Sequence, residues 1–543
     1  MISTVDRRAF LAWSTALALL CAGCLWLTFR DIRSTLPYPQ DVDEGFVSGP
    51  ATRTLTTGTL HPYNFRYPSL PKYLASIGMT AGFISSASHH EVWEVQKIGS
   101  TGFPYYDWPR VVQGARNLFA LLSIVTLLAT GVSAWLAFRK PATIFLSALI
   151  LTTSPLFFYH SWTYLNVDIV AACFAMLAIA ACLWASRTPS IERSAVIPGA
   201  LAGLATGGKY TLAFTILPVL LGIFFYVGAG RRIRACLAAI LSMIAAFLIV
   251  NPYALIDIPA FLDGLGFEAS HYAGGHAGAD ADAGWPQFTF YISHFASDFG
   301  IPAVVFATIG GVAFLRADWR RAIVLFSLPV ALLWLLISNR VHFTRNVLSL
   351  HPIVAMFAAY GALTLYGWIV DLLARRMPVP ARSQRPARAL VGLLLVVAAV
   401  PPTHLWDVLR DRTDSRNVAR AWIEARLPRE WTIVVPNQLG IDVRPFQAQG
   451  RNVKVVEVRS AEEAAEMTSG VPPPAIALIP HWGADPRFPG QETADALNTH
   501  GKRWRVEKSF GANPVLVNYS YPNPSGNPAF DIASLEGART IHH

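Results

Sequence analysis

Residues 110–140 read RVVQGARNLFALLSIVTLLATGVSAWLAFRK. No charged residue occurs between Arg116 near the start of this stretch and Arg139 at its end. A helix of about 20 apolar residues, at about 1.5 Å per residue, crosses the roughly 30 Å of hydrocarbon in a bilayer. The stretch therefore predicts a membrane-spanning helix that ends at the basic pair Arg139 and Lys140.

The rest of the chain repeats this pattern. Of its 543 residues, 53% are hydrophobic and only 14% are charged, against roughly 25% charged in an average soluble domain. A soluble fold of this composition would lack a polar surface. Apolar runs suited to membrane spans lie at about 8–28, 111–138, 142–158, 165–186, 195–207, 211–229, 235–252, 300–316, 321–338, 346–369 and 388–401.

Basic residues gather at every second connection between these runs. Short cytoplasmic loops collect Lys and Arg, so the pattern puts the N-terminus inside. With eleven crossings, the segments 29–110 and 253–299 and everything after about 402 lie outside. We therefore expect a multi-pass protein of a bacterial inner membrane, surrounded by membrane lipids. The net charge of +10 reflects this topology, and nucleic-acid binding is not expected.

The predicted fold is an all-α polytopic membrane bundle with about 11 transmembrane helices. Amphipathic stretches predict interfacial helices in the first outer loop, 29–110. After residue 401 the pattern changes to helix at 418–427 and 461–467 and strand at 431–436, 453–458 and 475–479. We expect a transmembrane domain over 1–401 and a small extracytoplasmic α/β domain over 402–543.

Acidic residues cluster directly after the first predicted span, in Asp41-Val42-Asp43-Glu44. Three carboxylates in four residues repel one another unless a cation, a base role or water accommodates them. An exposed acidic turn is the alternative interpretation. The loop continues through residues 61–73, HPYNFRYPSLPKY, where Arg66 and Lys72 could bind a phosphate. A carboxylate base beside an anion-binding site suits glycosyl transfer from a phosphate leaving group.

Several motifs occur in an order that resembles a known superfamily. An Asp-Glu pair follows the first span, a Tyr-Pro-Ser-Leu-Pro-Lys segment follows at 67–72, Arg116 opens the second span, and Gly-Gly-Lys-Tyr-Thr occupies 207–211. This order resembles the GT-C glycosyltransferases, and most of all their protein O-mannosyltransferase and aminoarabinose (lipid A) transferase branch, which uses polyprenyl-phosphate sugars. The likeness extends over nearly the whole chain.

The resemblance implies roles for individual residues. The family's Asp-Glu pair falls on Asp43, as the base that deprotonates the acceptor, and on Glu44, as its supporting neighbour. Asp168 resembles a second acidic residue of the same cavity. Ser69 and Pro71 depart from the family's Pro-Pro-Leu-Gly-Lys segment, which otherwise matches 68–72. The candidates for donor-phosphate binding are Arg66, Lys72, Arg116, Lys209, Tyr210 and Arg345.

Some of these assignments have alternatives. Lys209 could instead extend to lipid headgroups, and Arg116 could pair with Asp43 or Asp168. Possible substrate-loop residues are His61, Tyr67, His271 and His276. We expect no cofactor, although Asp41-x-Asp43 has a spacing that could hold a divalent cation, with His271 or His276 as a further ligand.

The resemblance implies an inverting glycosyltransferase that moves one sugar from a polyprenyl-phosphate donor to an acceptor on the periplasmic face. The acceptor could be a lipid, a glycan or a protein. A transporter or flippase of lipid-linked saccharides would share the spans and a basic cavity, and a non-catalytic assembly protein would share the terminal domain. An experiment that asks whether Asp43 is needed for sugar transfer would separate these three alternatives.

Overall fold

The computed structural model describes residues 4–41, 43–100, 104–161, 165–187, 190–276, 279–376, 385–409, 413–436, 439–456, 474–481, 504–510 and 529–535. Most of this chain is helical, as the apolar runs predict. The predicted helix at 461–467 lies outside the described residues.

The helices up to the second outer segment are α1 (Thr4–Thr35), α2 (Glu44–Thr57), α3 (Leu70–Ser88), α4 (Gln96–Ser100), α5 (Pro104–Asp107), α6 (Pro109–Phe138), α7 (Ala142–Thr152), α8 (Pro155–His160), α9 (Val167–Ala185), α10 (Ile197–Gly208), α11 (Ile216–Tyr226) and α12 (Ala229–Val250). They are followed by α13 (Tyr253–Ile256), α14 (Ile258–Gly274), α15 (Trp285–Phe299), α16 (Ile301–Ala317), α17 (Trp319–Ile337), α18 (His351–Arg376), α19 (Arg385–Ala399), α20 (Pro402–Leu409), α21 (Ser415–Arg426) and α22 (Arg444–Ala448). Glu192–Val196 is a π-helix, and Tyr210–Thr215 and Thr344–Leu350 are 3₁₀-helices.

Six helices in the described residues are long and apolar enough to cross a membrane, or up to seven if the bent pair α15–α16 is one span. Each of the eleven predicted runs lies on helical structure. Several of the runs are shorter or interrupted, so the count of eleven crossings stays a prediction. The chain is a multi-pass helical membrane protein by the length and composition of these helices.

One break departs from the sequence-based expectation of a continuous span, and a second lies at the predicted start of a span. The run 142–158 is split between α7 and α8, because the Ser154 hydroxyl accepts the Phe157 N–H and Pro155 opens the new helix. At Gly300, with φ of +79°, the axis turns by 110° between α15 and α16. Both breaks lie beside Asp298, whose carboxylate accepts the Leu156 N–H at 2.9 Å.

The first outer segment contains helices α2 to α5, as its amphipathic pattern predicts. The longest of them, α3, packs closely on the membrane helix α6. A Cβ atom on Gly78 would lie 2.5 Å from the Ala115 Cα, and one on Gly114 would overlap the backbone of α3. Only glycine permits this approach, which is typical of helix contacts in membranes. The contact fixes the outer segment on the bundle.

The terminal region forms one mixed sheet in the order β2-β1-β3-β5-β4. Strands β1 (Thr432–Pro436), β2 (Val453–Val456) and β3 (Ala475–His481) are parallel neighbours, and β4 (Trp504–Phe510) and β5 (Ala529–Leu535) pair antiparallel. The predicted helix at 418–427 and the three predicted strands coincide with α21, β1, β2 and β3. The division of the chain at residue 401 stays a prediction.

The start of α21 is anchored to the membrane bundle through buried polar groups. Asp414 accepts hydrogen bonds from its neighbour Arg416 and from the Gln40 Nε2 at 2.9 Å. The Arg416 guanidinium also lies 4.2 Å from the Tyr38 ring. Residues 38–40 directly precede the acidic cluster, so the terminal region and the bundle both position it.

Candidate active site

A small cleft lies at the ends of several helices. Five of its lining residues are candidates from the sequence: Asp43, Tyr67, Asp168, Lys209 and Arg345. The remaining lining residues are Val47, Leu165, Asn166, Val167, Tyr272 and Asn346. Residues far apart in sequence therefore place two carboxylates and two basic side chains around one cleft.

Asp43 lies at the start of α2, where the helix dipole favours a negative charge. Its carboxylate forms an ion pair with Arg345, which belongs to the 3₁₀-helix 344–350. The same oxygen, Oδ2, accepts a hydrogen bond from the Tyr67 hydroxyl at 3.2 Å. Burial raises the pKa of Tyr67 well above its usual range, so the phenol stays a proton donor. The Asp43 side chain is 19% exposed and thus reachable from the cleft.

Asp168 occupies a similar position in the first turn of α9, behind the capping residue Asn166. Its Oδ1 lies 2.6 Å from the Lys209 ammonium at the end of α10. Lys209 also donates to the Asn346 Oδ1 at 2.9 Å. Lys209 therefore points into the cleft with two partners, rather than out to lipid headgroups.

Three groups of this site are not among the sequence-based candidates. The Asn346 Oδ1 also accepts a hydrogen bond from the Tyr272 hydroxyl at 3.1 Å. Glu268, one turn earlier on α14, lies within electrostatic range of Lys209 and Arg345, and burial raises its pKa. The position of Asn346 next to Arg345 is the only sequence signal for any of them.

Glu44 lies next to Asp43 in sequence but points into the protein. Its carboxylate is fully buried and receives the Arg116 guanidinium at 3.0 Å on both oxygens. The Gln40 and Leu165 N–H groups donate to it as well. Arg116 thus pairs with Glu44, a partner different from the Asp43 and Asp168 weighed from the sequence. The pair joins α2, α6 and the loop before α9.

Asp41 is almost completely buried and does not line the cleft. Its Oδ1 accepts the Asp43 N–H at 2.9 Å, which orients the backbone at Asp43. Burial, and then the neighbouring Asp43 carboxylate, raise the pKa of Asp41 to about 7. The acidic cluster therefore divides into one cleft-facing carboxylate and two buried ones.

Two of the predicted phosphate-binding bases have other contacts. Lys72 is buried on α3, and its ammonium donates to the backbone carbonyls of Asn64 and Tyr67. Burial lowers its pKa to about 7. Arg66 is exposed, with its guanidinium 3.4 Å from the centre of the Phe267 ring. Neither residue lines the cleft, so their phosphate roles stay predictions.

This chain is similar to several solved structures at low sequence identity. ArnT from Cupriavidus metallidurans bound to undecaprenyl phosphate matches with a TM-score of 0.49 at 14% identity, over 96% of this chain and 98% of that one. The oligosaccharyltransferase AglB from Archaeoglobus fulgidus, in complex with an inhibitory peptide and a dolichol-phosphate, has a TM-score of 0.47 at 12% identity, over 78% of this chain and 62% of that one.

Arabinosyltransferase EmbB from Mycobacterium smegmatis has a TM-score of 0.39 at 13% identity, over 75% of this chain and 38% of that one. No family model and no curated protein sequence matches this chain. The residue roles rest on the geometry of this chain alone.

The remaining candidates do not line the cleft. The Tyr210 hydroxyl donates to the Phe65 carbonyl at 3.0 Å. His61 Nε2 lies 3.5 Å from the Asp257 carboxylate. His271 and His276 have ring centroids 5.2 Å apart at the end of α14. The contact between His61 and Asp257 connects the first outer segment to the second. The phosphate role of Tyr210 and the substrate-loop role of the three histidines stay predictions.

The candidate cation site at Asp41 and Asp43 has a different arrangement from that expected. Asp41 is bonded to the Asp43 backbone, and the Asp43 carboxylate is paired with Arg345. Within the part of the chain that the structure describes, the His/Asp group whose ligand atoms could surround a metal ion is His294, Asp298 and His351. The compatible cation position therefore lies outside the cleft.

Proposed function

We propose that this protein is an inverting glycosyltransferase that moves one sugar from a polyprenyl monophosphate to an acceptor on the outer face of the membrane. One observation carries the proposal: two carboxylate–cation pairs, Asp43–Arg345 and Asp168–Lys209, border a single cleft. Sugar transfer from a phosphate requires a base and cationic groups for the leaving phosphate. Both kinds of group are present there.

In the first step, the phosphodiester of the donor enters the cleft and attracts Arg345 and Lys209. Arg345 can form two parallel hydrogen bonds to phosphate oxygens. As the guanidinium moves toward the phosphate, Asp43 loses its strongest partner and keeps the hydrogen bond from Tyr67. Donor binding thereby leaves the Asp43 carboxylate ready to accept a proton.

In the transfer step, Asp43 removes the proton from the acceptor hydroxyl or amine. The acceptor atom attacks the anomeric carbon from the side opposite the phosphate, and the bond from that carbon to the phosphate oxygen breaks. Its electron pair stays on the polyprenyl phosphate, where Lys209 and Arg345 stabilise the added charge. The sugar is inverted in a single displacement, with no covalent sugar–enzyme intermediate.

Buried groups position this machinery. Glu44 and Arg116 hold the start of α2 against α6, and Asp41 orients the backbone of Asp43. We assign Glu44 and Arg116 as positioning residues, since neither lines the cleft. Asn346 accepts a hydrogen bond from the Lys209 ammonium and another from the Tyr272 hydroxyl, and so holds Lys209 in place.

The test uses the full-length protein in lipid nanodiscs. Binding of radiolabelled undecaprenyl phosphate, a polyprenyl monophosphate, is measured for wild type, Arg345→Ala and Lys209→Ala. Loss of one charged contact of about 1.5–3 kcal/mol should weaken binding by roughly 10-fold to 100-fold. Arg340→Ala is the matched control, because Arg340 pairs with Asp280 outside the cleft.

Sugar transfer is then followed with a panel of undecaprenyl-phosphate-linked sugars, with lipid A and a serine-rich peptide as acceptor probes. The proposal predicts that one donor is consumed with release of undecaprenyl phosphate. A flippase would move the labelled donor across liposome membranes with the sugar still attached. That outcome, or equal binding by wild type and Arg345→Ala, would overturn the proposal.

A further inference from the structure

We propose that His294, Asp298 and His351 bind a divalent transition-metal ion, most suitably Zn²⁺, at a buried site separate from the cleft. His294 and Asp298 stand one turn apart on α15, so both side chains project from the same face. His351 opens α18 and reaches the same point. The ligand atoms of the three side chains all lie within 4.8 Å of one another.

The hydrogen bonds of His351 identify a position that needs a cation. Its Nδ1 lies 2.9 Å from the Val347 carbonyl oxygen. A carbonyl oxygen can only accept, so Nδ1 carries a hydrogen. In a neutral ring Nε2 then bears a lone pair, and this atom lies 3.1 Å from the Asp298 Oδ2. Two electron-rich atoms at that distance require either a second proton on Nε2 or a metal ion between them.

The surroundings favour the metal ion. Asp298 and His351 are fully buried, and His294 is 5% exposed. A metal-bound histidine commonly donates its other ring N–H to a backbone carbonyl, and a metal-bound carboxylate is itself hydrogen-bonded. Asp298 accepts the Leu156 N–H at 2.9 Å and the Ser154 hydroxyl. His351 and Asp298 thus both have the outer contacts that metal ligands have.

The composition of the site indicates which ion it takes. Two imidazole nitrogens and one carboxylate oxygen are ligands that Zn²⁺ accepts in a tetrahedral arrangement, with a fourth position left for water. Mg²⁺ and Ca²⁺ prefer sets of oxygen ligands and suit this site less well. Zn²⁺ also has no redox chemistry, so it needs no electron donor or acceptor at this site.

The position of the site gives the ion a function. The site lies where three helix ends meet. These are the break between α7 and α8 at Ser154, the break between α15 and α16 at Gly300, and the start of α18 at His351. The 3₁₀-helix 344–350, which carries Arg345 and Asn346, ends next to His351. An ion bound here would join the three elements and hold the base of that 3₁₀-helix. The proposed ion binding does not depend on the proposed sugar transfer.

The test measures metal content rather than activity. Full-length protein carrying a non-histidine affinity tag is equilibrated with Zn²⁺, freed of unbound ion by gel filtration and analysed by mass spectrometry of the metal. Wild type should retain about one Zn²⁺ per chain, and Asp298→Asn and His294→Gln less than about one-tenth of that. The control His271→Phe, His276→Phe should retain the ion.

A second measurement remains informative if these variants fail to fold. Wild type loaded with Co²⁺ in place of Zn²⁺ should show the intense visible absorption of four-coordinate Co²⁺, and a chelator should abolish it and lower the Tm. A wild type that retains no ion and shows no such band would overturn the proposal. His351 and Asp298 would then form an imidazolium–carboxylate pair. Equal retention by Asp298→Asn would overturn it as well.

Discussion

Arg345 donates to the carboxylate of Asp43 across the cleft, so the proposed phosphate ligand and the proposed base hold each other before any substrate arrives. A donor phosphate competes with Asp43 for the same guanidinium. Binding of the donor and activation of the base are therefore coupled through one ion pair. The predictions below follow from this coupling and from the buried pairs that support it.

Arg345→Lys tests whether phosphate binding needs only the positive charge of Arg345 or also the planar shape of its guanidinium. Lysine keeps the positive charge but loses the planar pair of donors that matches a phosphate. We expect undecaprenyl phosphate to bind roughly 3-fold to 10-fold more weakly than to wild type, an effect smaller than that of Arg345→Ala. Equilibrium binding in nanodiscs measures the difference. Equal affinities for wild type, lysine and alanine would exclude a phosphate contact by Arg345.

Asp168→Asn removes a negative charge from the wall of the cleft. Lys209 keeps Asn346 as a partner at 2.9 Å, so it should remain in place. An anionic phosphate then meets less repulsion, and we expect its affinity to rise about 3-fold to 10-fold. Raising the salt concentration should leave this gain largely intact, because the site is shielded from solvent. A weaker affinity in Asp168→Asn would mean that Asp168 is required to position Lys209.

Glu44→Gln tests whether Glu44 positions the site or acts in it. Removing one charge of a fully buried pair leaves Arg116 without its counter-ion and should cost about 3–5 kcal/mol of stability. The exposed Arg110–Glu91 pair is a matched control, since Glu91→Gln should cost less than about 1 kcal/mol. Thermal unfolding followed by intrinsic fluorescence compares the two. A Glu44→Gln protein as stable as Glu91→Gln but inactive would make Glu44 a participant in the chemistry.

Asp41 makes the stability of the protein depend on pH. Its pKa is raised to about 7 in the fold, against about 3.9 in an unfolded chain. The folded state therefore binds this proton more tightly, and the stabilisation is complete below pH of about 4 and is lost as the pH rises through about 7. Wild type should show a lower Tm at pH 8 than at pH 6.

Asp41→Asn keeps the shape of the side chain and has no charge to titrate. Its Tm should exceed that of wild type at pH 8 by on the order of a few degrees and should change less between pH 6 and pH 8. Asp282→Asn, at an exposed loop position, is the control. The assignment to Asp41 fails if Asp41→Asn and wild type lose Tm equally over this interval.

Much of the fold follows from the sequence. The backbone N–H and C=O groups of a long apolar run have no water to bind in a membrane, and a helix pairs them with one another. The positions of the helix breaks do not follow so directly. The break at Ser154 depends on a local cap and does not change the average hydropathy of the run 142–158. The bend at Gly300 lies at the predicted start of the run 300–316, but its angle depends on the backbone conformation of one glycine and is not visible in the hydropathy.

The site could be predicted in part for a similar reason. Asp43, Asp168, Lys209 and Arg345 stand out because charges near the ends of apolar runs are costly without a function. The pairing of these residues is invisible in sequence: Lys209 and its partner Asn346 are 137 residues apart. The sequence equally provides no means of knowing that Glu44, unlike its neighbour Asp43, points inward.

The most direct measurement compares sugar transfer by wild type and Asp43→Asn under single-turnover conditions, with undecaprenyl phosphate binding recorded on the same preparations. Asparagine cannot accept the acceptor proton, so the account predicts a fall in the transfer rate of about 100-fold to 10,000-fold. Undecaprenyl phosphate should bind at least as tightly, because Arg345 is released from its carboxylate partner. Transfer by Asp43→Asn at the wild-type rate would contradict the account.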